Sequence, residues 1–261
     1  IRSKKVILAQ GAFERPLVFA DNDRPGIMMA SAGQKYLSRY GVLPGKSVVL
    51  FTNNDHAYLT AFEFVEKGAK VTVVDTRDLL NAKISEKCKS LNITVFKSYS
   101  VIKTYGDKKV NKIEIQQVDK DQNQLTGEVE NIQTDCVLMS GGWNPAVQLF
   151  SQSRGKLKYD LKINTFVPDK IIENQKIIGS NNGQFNLQEN LNESFEAGIA
   201  AANELNFNSV EKVNWTGKEE IEFTHSDVEP YMLGKKKVTK GSKHFIDFQN
   251  DVTAADIFLA Q

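Results

Sequence analysis

The chain is poor in the residues from which reactive sites are most often built. It carries two cysteines, Cys88 and Cys136, and three histidines, His56, His225 and His244. The cysteines stand far apart, one in a helix-like and one in a strand-like context, with no CxxC spacing and no neighbouring histidine. That pattern offers neither a redox dithiol nor a metal shell, and both read as buried free thiols. No histidine has a carboxylate or cysteine at the spacing of a triad or metal site, so surface or loop positions are expected. Charge of one sign is also missing: Lys plus Arg number 33 and Asp plus Glu 32, a formal net charge of +1. Such a balance produces no field to gather nucleic acid or an anionic membrane. No apolar run approaches the roughly 18 to 20 residues that span a bilayer, and residues 1–5 lack the basic-then-apolar order of a secretory signal. A soluble, cytoplasmic protein without nucleic-acid or membrane partners is expected. An initiating Met is absent too. The chain opens in a strand over residues 5–9, so sequence is expected before it, and this strand must pair with a later one or with that sequence.

What is present is periodicity of the α/β kind. Residues 47–51, Ser-Val-Val-Leu-Phe, predict a buried strand, 57–67 a helix stopped by Gly68, and 71–75, Val-Thr-Val-Val-Asp, a second strand. Near-continuous apolar strands suit a parallel sheet covered by helices on both faces, joined by a right-handed crossover. A second helix is expected over 79–91 and a third parallel strand over 94–96. Residues 101–105, 112–118 and 129–131 alternate and predict an antiparallel meander. A buried strand over 136–139 then runs into Ser140-Gly141-Gly142, and a short strand over 177–179 into the polar loop 180–186. Helices are expected over 191–205 and from Thr253, where Thr253 and Asp256 have capping-box spacing. The tail from 213 changes character, with Trp215 and the run Lys235-Lys236-Lys237, read as a solvated turn or a docking patch for an acidic partner.

The first strand-helix-strand unit has the skeleton of a dinucleotide site, with Asp75 where an acid would meet a ribose hydroxyl. The turn between them does not fit. Where glycines are required it has Thr52-Asn53-Asn54-Asp55, whose side chains occupy the phosphate volume and whose carboxylate repels phosphate. A scaffold is expected here in place of a working site. Arg15 and Arg24, each beside a proline, read as ion pairs with Glu14 or Asp23 or as anion clamps, and Trp143 as packing at a strand end or a ring-stacking residue.

Several long strings go further. The segments 11–19, 21–26, 52–55, 140–146, 149–157 and 247–253, among them Asp21-Asn22-Asp23-Arg24-Pro25-Gly26 and Ser140-Gly141-Gly142-Trp143-Asn144-Pro145-Ala146, resemble the alpha subunits of heterotetrameric sarcosine oxidases. The resemblance covers essentially the whole chain. It implies an α/β fold with two Rossmann-like nucleotide-binding domains of the disulfide reductase type, one inserted in the other: residues 1–41 and 140–208 forming the interrupted domain, 42–139 the insert with its meander, and 209–261 a small C-terminal segment with α-helix. It implies participation in oxidative demethylation of sarcosine to glycine with tetrahydrofolate and oxygen, giving hydrogen peroxide, beside beta, gamma and delta subunits. NAD is expected in the first domain, dependent on a glycine-rich turn upstream of Ile1, and FMN at the contact with the beta subunit. The isolated chain is expected to carry no catalytic residue. The best ligand candidates are Gly11, Gly179, Ser180, Asn181 and Asn182, at strand ends where a nucleotide in the first domain would pass and where backbone donors would meet a phosphate. The last segment also resembles the small iron-sulfur domain of related dehydrogenases, but Asp247 and Gln249 stand where thiolates are needed, so no cluster and no other metal is expected. The competing reading is a structural assembly module whose nucleotide domains have decayed. A self-sufficient disulfide reductase is set aside for want of a CxxC.

Overall fold

The computed structural model describes residues 3–119, 124–207 and 241–261. In chain order it has β1 (Val6–Leu8), β2 (Ala12–Glu14), β3 (Ile27–Met29), α1 (Ala30–Tyr40), β4 (Ser47–Thr52), α2 (Ala57–Glu66), β5 (Lys70–Asp75), α3 (Ala82–Ser90) and β6 (Thr94–Lys97). There follow β7 (Tyr99–Tyr105), β8 (Lys112–Val118), β9 (Leu125–Gln133), β10 (Cys136–Ser140), β11 (Trp143–Pro145), α4 (Gln148–Gln152), β12 (Lys156–Asp160), β13 (Thr165–Lys170) and β14 (Gln175–Ile177). A 3-10 turn (Gly179–Asn182), α5 (Leu187–Glu204), β15 (Phe245–Asp247), β16 (Val252–Thr253) and α6 (Ala254–Leu259) complete it. Two compact units emerge: Ile1–Phe13 with Trp143–Asp227, and Glu14–Gly142 with Val228–Gln261.

The first unit is built on the pairing that the opening strand demands. β1 lies parallel to β14, with Val6 opposite Gln175 and Leu8 opposite Ile177. Leu8, Ile177 and Phe150 of α4 form a small core, and Leu157 of the β12–β13 hairpin packs against it. Helix α5 starts at Leu187, four residues before its expected start, because Asn186 accepts from the Glu189 N–H at 3.0 Å and supplies a cap.

The second unit is a three-layer sandwich around a five-stranded sheet of order β3-β10-β4-β5-β6. The pairs are parallel throughout. Val49 and Phe51 of β4, Val74 of β5 and Val137 and Met139 of β10 turn one face toward Val101, Ile113 and Ile115 of the antiparallel sheet β7-β8-β9. The opposite face carries the helices, because right-handed crossovers that add strands in one direction keep to one side. Helices on both faces were expected; the apolar strands instead have helices on one side and the meander on the other. Residues 14–41 and 140–142 also depart from the expected boundaries. β3 is hydrogen-bonded to β10, and Gly141 N–H donates to Arg15 O at 2.7 Å, so both segments belong to the sheet of the second unit. Helix α3 begins at Ala82, three residues past its expected start, where Asn81 accepts from the Lys83 N–H at 2.9 Å.

Residues 241–261 belong to this second unit as well, held by the buried amide of Asn22 and by Asp21. Asn22, 1% exposed, accepts from Phe245 N–H at 2.9 Å and donates to Phe245 O at 2.8 Å and Leu17 O at 3.3 Å. Its side chain thus imitates a peptide group and extends the backbone pairing to the tail. Asp21, in the left-handed region at φ 57°, adds its N–H to Lys243 O at 2.6 Å. His225, Trp215 and the Lys235 run lie outside the described residues. Substitution Asn22→Leu removes the partner of both the N–H and the C=O of the half-buried Phe245, at a cost of about 1–3 kcal/mol. Hydrogen exchange of the Phe245 amide is expected to accelerate at least tenfold; unchanged exchange would show that Asn22 does not protect it.

Candidate functional site

Because β1 and β14 are parallel and in register, their C-terminal ends place two loops side by side in the first unit. Gly11 follows one strand and Gly179 the other, at φ of 78° and 71°, the left-handed region that favours glycine. A Cβ on Gly11 would have a single close neighbour, Ser180 Oγ at 3.8 Å, and one on Gly179 only Asn190 Oδ1 at 3.8 Å. Both glycines therefore border open space faced by a polar atom. Asn181 is fully buried and donates from Nδ2 to Gln10 Oε1 at 3.2 Å, while its Oδ1, like Asn190 Oδ1, is buried without a hydrogen-bond partner. Of these two orphaned buried acceptors, Asn190 Oδ1 lies beside Gly179, and an unmet acceptor there fits a ligand bearing donors.

The five sequence-derived candidates Gly11, Gly179, Ser180, Asn181 and Asn182 all fall in these two loops. One backbone donor of this loop is already taken: Gly179 N–H donates to Glu193 Oε2 at 3.1 Å, and Asn182 Nδ2 reaches Glu193 Oε1 at 3.5 Å. The loop closes on itself through Gly183 N–H to Ser180 O at 3.1 Å and Gln184 N–H to Gly179 O at 3.2 Å. Sequence reasoning missed Gln10, Asn190 and Glu193. The last two lie three residues apart on α5, a spacing that places them on one helix face, but only the loop geometry turns that face toward Gly179.

The corresponding end of the second unit is closed by its own side chains. The strand order reverses between β10 and β4, the place where open α/β sheets usually bind ligands. There Thr52 Oγ1 and Asn54 Nδ2 both donate to Ser140 O at 3.1 Å, and Asn54 Nδ2 also reaches Ser140 Oγ at 3.1 Å. At the N-terminus of α2, where a pyrophosphate would accept, Asn54 Oδ1 accepts from Ala57 N–H at 3.2 Å. Asn53, Asn54 and Asp55 are all buried.

Asp75, the residue in the ribose-binding position, is fully buried and already engaged. Its Oδ2 accepts from the Tyr58 hydroxyl at 2.8 Å and from Arg77 Nη2 at 2.9 Å, and its Oδ1 from Arg77 Nε at 3.1 Å and Arg77 N–H at 2.9 Å. Arg77 Nη1 donates to Asp55 Oδ1 at 2.8 Å. Burial opposes the guanidinium charge, but Asp75 and Asp55 outweigh it and raise the Arg77 pKa above its ordinary value. Burial and then the Asp75 charge push the Tyr58 hydroxyl well above the usual phenol range, so it stays a donor. Burial also raises the Cys88 thiol to about 11 and Cys136 to about 12, which makes both inert.

The remaining candidates have structural partners. Arg15 Nε donates to Gly141 O at 2.9 Å. Arg24 is bound to the Gly106 carbonyl and lies 3.6 Å from Asp21, not Asp23. Glu14 Oε2 accepts from Ser31 N–H at 2.9 Å and Ser31 Oγ at 2.5 Å, standing in for the side-chain cap that Met29 cannot give α1. Burial raises the Glu14 carboxyl above its usual range despite these bonds. His244 is buried at 6% exposure, contrary to the surface position expected. Among the described residues, no three His, Cys, Asp or Glu side chains gather in a way that would hold a metal ion. Asp247 accepts from Gln249 N–H at 2.8 Å and from Asn250 Nδ2 at 2.7 Å, so hydrogen bonds to a carboxylate organise that loop. Among the described residues no helix is long and apolar enough to cross a membrane.

Over all of its length the chain is 33% identical to sarcosine oxidase subunit alpha of Corynebacterium sp. (strain P-1), and over 98% of it 33% identical to the same subunit of Rhizobium meliloti (strain 1021). It spans about a quarter of those relatives, 27% and 24% of their lengths. The fold matches T. acidophilum thioredoxin reductase with a TM-score of 0.62 at 17% identity, covering 78% of this chain and 66% of that one. The family model of the pyridine nucleotide-disulphide oxidoreductases matches residues 1–170, and the chain belongs to that family.

Proposed function

We propose that this chain is the nucleotide-holding part of the alpha subunit of a sarcosine oxidase-type complex, and that the nucleotide lies in the first unit, at Gly11, Gly179, Ser180, Asn181 and Asn182. The observation that carries the reading is the full-length likeness to sarcosine oxidase alpha subunits, joined to the open glycine-lined strand ends of β1 and β14. NAD is the nucleotide proposed for this unit, with FMN at a contact with a beta subunit, and gamma and delta subunits completing a cytoplasmic assembly. A bound flavin or nicotinamide would supply the electron-accepting chemistry. The chain's own residues would bind and orient it: the two glycines admit the ligand close to the backbone, and the amides of Asn181 and Asn190 accept from it. The oxidation of the sarcosine C–N bond, with oxygen reduced to peroxide and the one-carbon unit passed to folate, is assigned in this proposal to other parts of the complex. The domain reading proposed is an interrupted nucleotide domain around an inserted Rossmann-like lobe, with the tail held by that lobe.

A second reading, a structural assembly module without bound nucleotide, is favoured by one specific observation: the ligand crevice of the second unit is filled by Arg77, Asp55, Asp75 and Asn54. Purification of the full gene product with its partner subunits separates the two. Stoichiometric NAD together with sarcosine-dependent oxygen uptake and peroxide release supports the first reading; an empty protein that still assembles supports the second.

The closed crevice itself is testable. Arg77→Met leaves Asp55 and Asp75 buried without their counter-ion, a loss of about 3–5 kcal/mol at neutral pH. Urea unfolding at neutral pH is expected to show this loss, and the triple variant Arg77→Met, Asp55→Asn, Asp75→Asn to recover much of it. Equal stability of Arg77→Met and the wild type at neutral pH would mean that the cluster is not the closure.

A further inference from the structure

We propose that the C-terminal end of α1 in the second unit is a docking surface for a carboxylate-rich segment of another polypeptide. The inference does not depend on the nucleotide reading above. Its starting point is a local excess of one charge in a chain that is balanced overall. Residues 30–46 carry Lys35, Arg39 and Lys46 and no Asp or Glu, although the whole chain has a formal net charge of +1. Lys70, the first residue of β5, joins them, because its N–H donates to Lys46 O at 2.8 Å where β4 and β5 begin. The carboxylates that touch these segments are already engaged. Asp135 accepts from Lys46 N–H at 3.1 Å and Ser47 N–H at 2.9 Å, Glu63 accepts from Gln34 Nε2 at 2.9 Å, and Glu66 lies 3.9 Å from Lys87 Nζ. Among the described residues no salt bridge takes Lys35, Arg39, Lys46 or Lys70, and all four are exposed. The carbonyl end of a helix accounts for one cation in its last turn. It does not account for Lys46 and Lys70, whose like charges stand on neighbouring strand starts without a counter-ion.

The same helix end supplies an apolar anchor. Tyr36 and Tyr40 are 48% and 62% exposed, with ring centroids 6.2 Å apart, and the Arg39 guanidinium lies 5.8 Å from the centre of the Tyr40 ring. Gly41, in the left-handed region at φ 66°, lets the chain fold back, so that Val42 N–H donates to Tyr36 O at 3.1 Å and the exposed Val42 joins the two rings. Tyrosine and arginine are the side chains that most often anchor protein interfaces, and ring contacts formed in advance reduce the ordering that docking requires. Lysine, arginine and tyrosine hydroxyls are all donors, so the matching surface is one of carboxylate acceptors around apolar groups. A second copy of this chain would set the same cations against each other across a two-fold axis. The net charge of +1 supplies no wider field to draw in a nucleic acid or an anionic membrane. The patch lies where β4 and β5 start, a strand length of about 20 Å from the crevice at their other ends, so an occupant leaves the Arg77 cluster untouched.

The test uses the full gene product and a short fluorescein-labelled peptide of alternating glutamate and phenylalanine, with binding followed by anisotropy. The same peptide with glutamine in place of glutamate, a short DNA duplex and phosphatidylglycerol vesicles are the comparisons. The acidic peptide is expected to bind saturably and at least tenfold more tightly than the glutamine peptide, and to weaken as salt is raised. Lys35→Glu combined with Arg39→Glu, and Tyr36→Ser combined with Tyr40→Ser, are each expected to weaken it at least tenfold. Tyr36→Phe with Tyr40→Phe, which keeps the rings, is expected to retain most of the binding. Thermal unfolding of the variants is the second readout and is expected to stay close to that of the wild type, because all four side chains are exposed. Equal binding of the glutamate and glutamine peptides, or wild-type affinity in both double variants, overturns the inference. So does tighter binding of the duplex or the vesicles that the same variants abolish, or self-association of the chain that they abolish. None of these outcomes bears on the nucleotide site of the first unit.

Discussion

The parallel pairing of β1 with β14 is the constraint on which the first unit depends. Val6 to Leu8 present backbone groups that a lone strand cannot satisfy, and Gln175 to Ile177 satisfy them. The partners come from opposite sides of the long second unit, yet the entropic penalty of such separation grows only slowly, about 0.6 kcal/mol for each doubling of the closed loop. A few hydrogen bonds and the small core of Leu8, Phe150 and Ile177 therefore suffice to bring Gly11 and Gly179 to one edge. A ligand site in this unit depends on that register, because both loops leave from strand ends that the pairing aligns.

The two units answer the same topological opportunity in opposite ways. Both have parallel strands whose C-terminal ends offer a crevice. In the second unit the α2 N-terminus is engaged by Asn54, the strand-end carboxylate of Asp75 by Arg77 and Tyr58, and the β4–β10 gap by Ser140, while Thr76 Oγ1 is buried without a hydrogen-bond partner. In the first unit two amide oxygens have nothing to engage. The buried ion cluster is weak evidence of stabilisation in itself, since desolvation of Arg77 and two carboxylates offsets much of their attraction. What it does secure is closure, because withdrawing any member leaves a buried charge unmatched.

Membership of the pyridine nucleotide-disulphide oxidoreductases does not make this chain a disulfide reductase. Its two thiols are buried in different elements and pushed toward the neutral form. The family fold supplies a way of holding nucleotides, and the chemistry done with them depends on residues brought to the site.

Much of the architecture could be read from the chain. Apolar runs at 47–51, 71–75 and 136–139 specified the buried strands, alternation specified the meander, and the spacing of Thr253 and Asp256 a capping box that the structure contains. The misfit of Thr52-Asn53-Asn54-Asp55 with a phosphate turn was also legible, since it follows from side-chain volume and charge alone. Local pattern did not reveal what Asp75 was bonded to, because Arg77 looks like any surface arginine until the sheet buries it against Asp55. Nor could it show that Asn22 carries the tail, or that Glu193 takes the Gly179 N–H. These are pairings between residues that sequence spacing leaves unspecified, and they exist only once the strands are in register. The sequence by itself determined which segments are strands and helices and that one turn rejects phosphate, because period, volume and charge are local properties. The tertiary structure alone decided which strand end is closed and which is left with unmet acceptors, because hydrogen-bond satisfaction is a property of neighbours in space.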